Sequence, residues 1–227
     1  MLIDKTKEQI GQKAAELVQE GMLVGLGTGS TTFYFIKALA DRYHKENINI
    51  KTVASSSSSE LIAKNFGLPL IETHAPPFLD IVVDGADEID LQKQLIKGAG
   101  GALFREKILA SITSKLVIIA DESKLVSRLG ELKPLPVEVL PFASFSVEKK
   151  CLSLGLKGQW RKVDSGSYLK TDNGNCILDL FIQKSLFDLK KLEENLISTP
   201  GIVSTGLFLD FNPILIIGKK DGTYEYR

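Results

Sequence analysis

The chain has 227 residues, 44% of them apolar and 25% charged, enough to bury a full core in one large domain or in one domain with a smaller attachment. Its 28 basic residues balance its 28 acidic ones, which leaves no electrostatic footprint for a polyanion such as nucleic acid. The start, MLIDKTKEQIGQKAAELVQEG, lacks the basic and apolar regions of a signal peptide, and no apolar run approaches the ~18 residues of a membrane span, so the expectation is a cytoplasmic protein without a membrane partner.

In the first half, apolar runs of strand length alternate with amphipathic segments: MLVGL (22–26), INIKTVA (48–54), FLDIVVD (78–84) and KLVIIA (115–120) read as strands. This rhythm predicts an α/β fold with a mostly parallel sheet and helices on both faces. Near Glu131 the texture changes. ELKPLPVEVLP is punctuated by proline, SFSVEKKCLSLG and DLKKLEENLIST read as helices, the second N-capped by Asp188, and CILDLFIQ reads as a strand. The expectation is a small α+β domain over 131–203, inserted into a main domain formed by 1–130 and 204–227. The closing stretches IVSTGLFLD and PILIIGKKDGTYEY are strand-rich, carry a hairpin signal at KKDGTY, and are expected to return to the first sheet.

Chemistry concentrates where the strands end, the usual ligand-binding rim of an open α/β sheet. GLGTGSTT (25–32) leads from the first strand into a helix, so glycine backbone, helix-start amides and the hydroxyls of Ser30 and Thr31 suit an anion such as phosphate. It is not a dinucleotide fingerprint, because Ser30 stands at the third glycine, and it has no P-loop lysine. A tight turn without ligand is the plain alternative. The serine run at 55–59 reads as a loop with a helix N-cap. VVDGADEID (82–90) crowds four acids after a buried strand; Asp84 and Asp87 flank a turn allowed by Gly85, while Glu88 and Asp90 read as solvated loop charge. IKGAGGALFREKILA (96–110) offers Lys97 and the amides near Gly98, Gly100 and Gly101 to a developing oxyanion, with Glu106 one to two turns into the following helix. Cys151 and Cys176 form no CxxC pair and sit beside leucine or isoleucine, which predicts reduced, buried thiols. With His44 and His74 as the chain's two histidines, no metal site is expected.

The segments GTGST, VDGADEID, KGAGGALFREKILA, ADESK and LPVEV, in this order and spacing, resemble ribose-5-phosphate isomerases of the A type, and TDNGN, ILD, PGIV and GLF extend the likeness almost to the C-terminus. The resemblance implies a Rossmann-like main domain with a smaller α+β domain. It also implies a homodimer or homotetramer that interconverts ribose 5-phosphate and ribulose 5-phosphate without metal or organic cofactor. It assigns Glu106 as the catalytic base, Asp84, Asp87 and Lys97 as ring-opening and substrate-contacting groups, Thr28, Gly29, Ser30 and Thr31 as a substrate-binding segment, and Lys124 and Lys7 as substrate-contacting and phosphate-proximal lysines. Gly85, Ala86, Gly98, Ala99 and Gly100 complete the expected substrate contacts. Many members read KGGGAAL where this chain reads KGAGGAL, so Ala99 would restrict the loop if its backbone had to adopt φ > 0. A sugar-phosphate sensor, or a related deaminase or CoA transferase, would keep the glycine loops on the same fold.

Overall fold

The computed structural model describes residues 2–71, 77–182 and 188–227. His74, and Gln183 at the end of the expected strand CILDLFIQ, lie outside the described residues. The chain runs α1 (Leu2–Ala15), β1 (Leu23–Leu26), α2 (Ser30–Glu46), β2 (Lys51–Ala54), α3 (Ser57–Asn65) and β3 (Ile81–Asp84). There follow β4 (Glu88–Ile89), β5 (Leu95–Ile96), α4 (Leu103–Ser111), β6 (Leu116–Asp121), β7 (Leu135–Val139), α5 (Ser144–Ser153) and β8 (Lys157–Trp160). The last part is β9 (Cys176–Phe181), α6 (Leu189–Ile197), β10 (Ile202–Thr205), β11 (Leu207–Phe208), β12 (Ile214–Gly218) and β13 (Tyr224–Tyr226).

These elements form two units. The first comprises Met1–Ala86, Arg105–Lys124 and Phe211–Arg227, the second Asp87–Phe104 and Leu125–Asp210. In the first unit six strands lie in the order β13-β12-β6-β3-β1-β2. All neighbours are parallel except the β12/β13 hairpin. A parallel sheet covered by its crossover helices needs strands apolar on both sides, and β3 and the first five residues of β6 are buried without alternation. The core joins Val24, Leu26, Ile81, Val83, Val117, Ile119 and Ile216 to helical residues such as Ile10, Phe35, Ile36 and Leu39.

The second unit holds an antiparallel four-stranded sheet, β10-β7-β9-β8, and a three-stranded one, β11-β5-β4. Its core packs Leu135, Val137 and Val139 with Leu178, Leu180, Val147, Cys151, Leu192 and Leu196. Asp188 caps α6, accepting from the N–H groups of Lys190 and Lys191. Both cysteines are free and buried.

Of the closing stretches, β12 and β13 do complete the first sheet, but β10 pairs with β7 and β11 with β5. The β11/β5/β4 pairing also gathers Asp87–Phe104 and residues 204–210 into the second unit, so that unit is wider than the 131–203 expected from texture. Among the described residues no helix is long and apolar enough to cross a membrane.

Candidate active site

In the first unit, β1 ends at Leu26 and the chain turns through Gly27, Thr28 and Gly29 into α2, with Gly29 at the N-cap (φ 124°). Glycine supplies no capping side chain, and the first turn of α2 carries no acid, so the positive end of the helix faces no carboxylate of its own. Lys7 of α1 reaches the same place and donates from Nζ to Ser30 Oγ at 2.9 Å. The expected phosphate-proximal lysine and the expected anion-binding turn are therefore together. Thr31 lies half-buried in the first turn.

Asp84, the last residue of β3, is buried at 2% exposure. Its Oδ1 accepts from the Thr28 N–H (3.0 Å) and the Gly85 N–H (2.7 Å). The carboxylate thus ties the ends of two adjacent strands, and it leaves no space at Gly27, where a Cβ would stand 2.1 Å from Asp84 Cγ. Gly85, expected to be the residue that permits the turn, is not the constrained glycine. Its φ is not positive, and a Cβ there would meet nothing nearer than 3.9 Å. Ala86 follows it, half-buried.

The serine run does more than cap a helix. Ser56 caps α3 by accepting from the Ser59 N–H at 3.1 Å. Ser55 and Ser56 also lie 2.8 Å from Thr28 Oγ1, with Ser59 at 3.4 Å. Three buried hydroxyls therefore fix the rotamer of a predicted substrate-binding residue. The sequence signal was their place at the end of β2, level with GTGST at the end of β1.

Lys124 ends a single 3₁₀ turn, Glu122–Lys124, directly after β6. A cavity of ≈ 300 Å³ beside that turn is lined by Thr6, Asp121, Glu122, Ser123, Gly218, Lys219 and Lys220, and by none of the predicted site residues. Glu106, in the first turn of α4, is 4% exposed.

In the second unit, β4 and β5 are antiparallel with Glu88 opposite Ile96. Asp87 precedes β4 and Lys97 follows β5, so the hairpin brings them out at the same end, fastened by the Asp87 N–H to the Ile96 carbonyl (2.8 Å). Lys97 is 3% exposed, with Nζ 5.6 Å from the centre of the Phe208 ring. The glycine loop follows. Gly98 and Gly101 have φ of 108° and 82°, the Gly101 N–H closes onto the Gly98 carbonyl at 3.0 Å, and the Ala99 N–H donates to Asp87 Oδ2 at 2.8 Å. Ala99 itself is not among the positive-φ residues, so the alanine costs the loop nothing and its amide is in use; Gly100 beside it is exposed.

Glu88 and Asp90 are not the solvated charges expected. Glu88 is 0% exposed and accepts from the N–H groups of Gly130 (2.5 Å), Leu132 (2.5 Å) and Lys133 (2.6 Å). Asp90, 8% exposed, accepts from Gln92 and Gln94 and closes the hairpin turn. A carboxylate satisfied by several backbone amides is stable when buried. Of the four crowded acids, two build structure and two stand at strand ends.

Comparison with known proteins shows the family of the chain. The family model of ribose 5-phosphate isomerase A (phosphoriboisomerase A) matches residues 51–222. The chain belongs to the ribose 5-phosphate isomerase A family. It is 44% identical over 220 residues to ribose-5-phosphate isomerase A of Bacillus mycoides, covering 97% of this chain and 98% of that one. It is 43% identical over 217 residues to the Chlamydia muridarum protein of the same name, covering 96% of this chain and 90% of that one. The fold matches ribose 5-phosphate isomerase from Plasmodium falciparum with a TM-score of 0.92 at 37% identity, over 99% of this chain and 98% of that one. A D-ribose-5-phosphate isomerase solved in complex with phospho-erythronic acid matches with a TM-score of 0.91 at 34% identity, over 98% of each chain. A second family model, the DeoR C terminal sensor domain, matches residues 4–71 only.

Proposed function

We propose that this chain interconverts D-ribose 5-phosphate and D-ribulose 5-phosphate in the pentose phosphate pathway, through an enediolate and without metal or organic cofactor. The observation that carries the reading is Glu106. It is a carboxylate 4% exposed, in the first turn of a helix entered from a glycine loop, in a chain that belongs to an isomerase family over most of its length.

The reaction sets the requirements. The furanose ring opens when the bond from C1 to the ring oxygen breaks, that oxygen gains a proton and the anomeric hydroxyl loses one. Asp87, with Asp84, moves these protons. Glu106 then takes the proton from C2 and returns it to C1, so it must act as base and then as acid within reach of both carbons. Between the two transfers the charge lies on O1 and O2, where Lys97 and the amides of the 98–100 loop stabilise it; removing one such donor costs ~3–4 kcal/mol in other enzymes. Thr28, Gly29, Ser30, Thr31 and Lys7 hold the phosphate, and Lys124, Gly85 and Ala86 complete the contacts. Phosphate binding, remote from the reacting carbons, supplies positioning. A relative described above was solved in complex with phospho-erythronic acid, a phosphorylated sugar acid, which supports a sugar phosphate as the substrate here.

A sensor role is less well supported, because the match to the sensor domain includes the first glycine loop and the serine run but stops short of Asp87, Lys97 and Glu106. The assembly we propose is a homodimer or homotetramer in the cytoplasm, supported by large apolar side chains left on the surface of the second unit, Phe142 at 98% and Phe145 at 78% exposure.

The deciding experiment measures ribulose 5-phosphate formation in chelator for wild type and Glu106→Gln. Wild type is expected to retain full activity in chelator. The variant is expected to bind ribose 5-phosphate normally and to lose at least about a hundredfold in kcat. A fully active variant would remove Glu106 from the chemistry, and activity abolished by chelator would end the metal-free mechanism.

A further inference from the structure

We infer that Arg161, held by Asp179, is a positioning residue for the reaction: it grips the back of the glycine loop and thereby aims the loop's amides at Asp87 and the substrate oxygens. The inference rests on the isomerase reading above, and it concerns residues that neither the glycine motifs nor the crowded acids reveal.

Arg161 directly follows β8, whose register with β9 places Trp160 opposite Leu178, and the Arg161 N–H donates to the Ile177 carbonyl at 2.9 Å. Asp179 is two residues beyond Ile177 on β9, so the two side chains are diagonal neighbours on one face of the sheet. They pair through both ends of the carboxylate, Nε to Oδ2 at 2.9 Å and Nη2 to Oδ1 at 2.5 Å, each side chain 16% exposed. This fork fixes the guanidinium plane. It leaves Nη1 to donate to two carbonyls of the loop, Gly98 O and Ala99 O, each at 2.9 Å.

A trans peptide points its carbonyl and its N–H in opposite directions. The unit joining Gly98 to Ala99 is therefore held from both sides, its carbonyl by Arg161 and its N–H by Asp87 Oδ2 at 2.8 Å. A cation on the carbonyl polarises the amide and strengthens the bond that the same amide donates. The next unit, Ala99 to Gly100, has its carbonyl on Arg161 as well, which turns the Gly100 N–H away from the guanidinium. Arg161 thus supports two consecutive amides of the loop assigned to the enediolate, and it connects a fixed positive charge to the carboxylate assigned to ring opening. A salt bridge that merely joined two strands would require neither loop carbonyl.

The test compares wild type, Arg161→Ala, Arg161→Lys, Asp179→Asn and Glu106→Gln by steady-state isomerisation of ribose 5-phosphate, with thermal unfolding of each. Arg161→Ala is expected to lower kcat at least tenfold while KM changes less than threefold. Millimolar guanidinium is expected to restore part of that kcat. Arg161→Lys keeps the charge without the fork and is expected to fall between, as is Asp179→Asn; these two carry the test if the alanine variant does not fold. Wild-type kcat in the folded Arg161 and Asp179 variants, with no response to guanidinium, would overturn the inference while leaving the isomerase reading intact, provided wild type turns over and Glu106→Gln does not. Absence of turnover by wild type would overturn both.

Discussion

Gly27 and Asp84 show how closely the site is built at the level of single residues. A methyl group at Gly27 would lie 2.1 Å from the carboxylate and 2.6 Å from the Asp84 Cα, and backbone cannot move aside as a long side chain can. Gly27→Ala is expected to cost about 1–3 kcal/mol in urea unfolding and to reduce isomerase activity at least tenfold, since it displaces Asp84 from the Thr28 amide. Cys151 gives an independent check on the core. Burial pushes its thiol from 9.0 up to about 11, with the Glu148 charge adding to the effect. The native thiol is thus expected to resist iodoacetamide at pH 8 and to react once urea is added. Because the folded value is raised, the unfolded chain releases this proton first, so stability falls as pH rises between about 9 and about 11. The buried environment of the cysteines was legible in their leucine and isoleucine neighbours. That of Glu88 was not: its three amide partners lie more than 40 residues away at 130–133, and backbone N–H groups leave no mark in a sequence.

At the scale of elements, periodicity carried most of the reading. β3 and β6 form where continuous apolar runs predicted buried parallel strands, and α6 begins at the predicted cap. Asp188→Ala removes the side chain that accepts from Lys190 and Lys191, so it is expected to lower stability by ~1 kcal/mol with kcat and KM unchanged. Loss of activity in that variant would show that α6 does more than support its unit. The run from Ile202 to Phe208 marks the limit of the method. Its composition announces strands, but which edge a strand joins depends on partners such as Val137 and Leu95, and an apolar run fits many edges equally well. The glycine loops were legible as loops. The support behind them, Ser55, Ser56 and Ser59 for one and Arg161 for the other, comes from segments elsewhere in the chain.

For the molecule as a whole, the exposed Phe142 and Phe145 predict self-association. Light scattering coupled to size exclusion is expected to give at least a dimer for wild type and a smaller species for Phe142→Asp with Phe145→Asp; a monomeric wild type would refute the proposed assembly. The division into units has a different consequence, since the chain passes from one to the other after Ala86, Phe104, Lys124 and Asp210. Neither unit corresponds to an uninterrupted stretch of coding sequence. A fragment beginning at Leu125 would lack Glu88, and with it the acceptor for the amides at 130–133. Neither unit can therefore be cut out as a single continuous fragment.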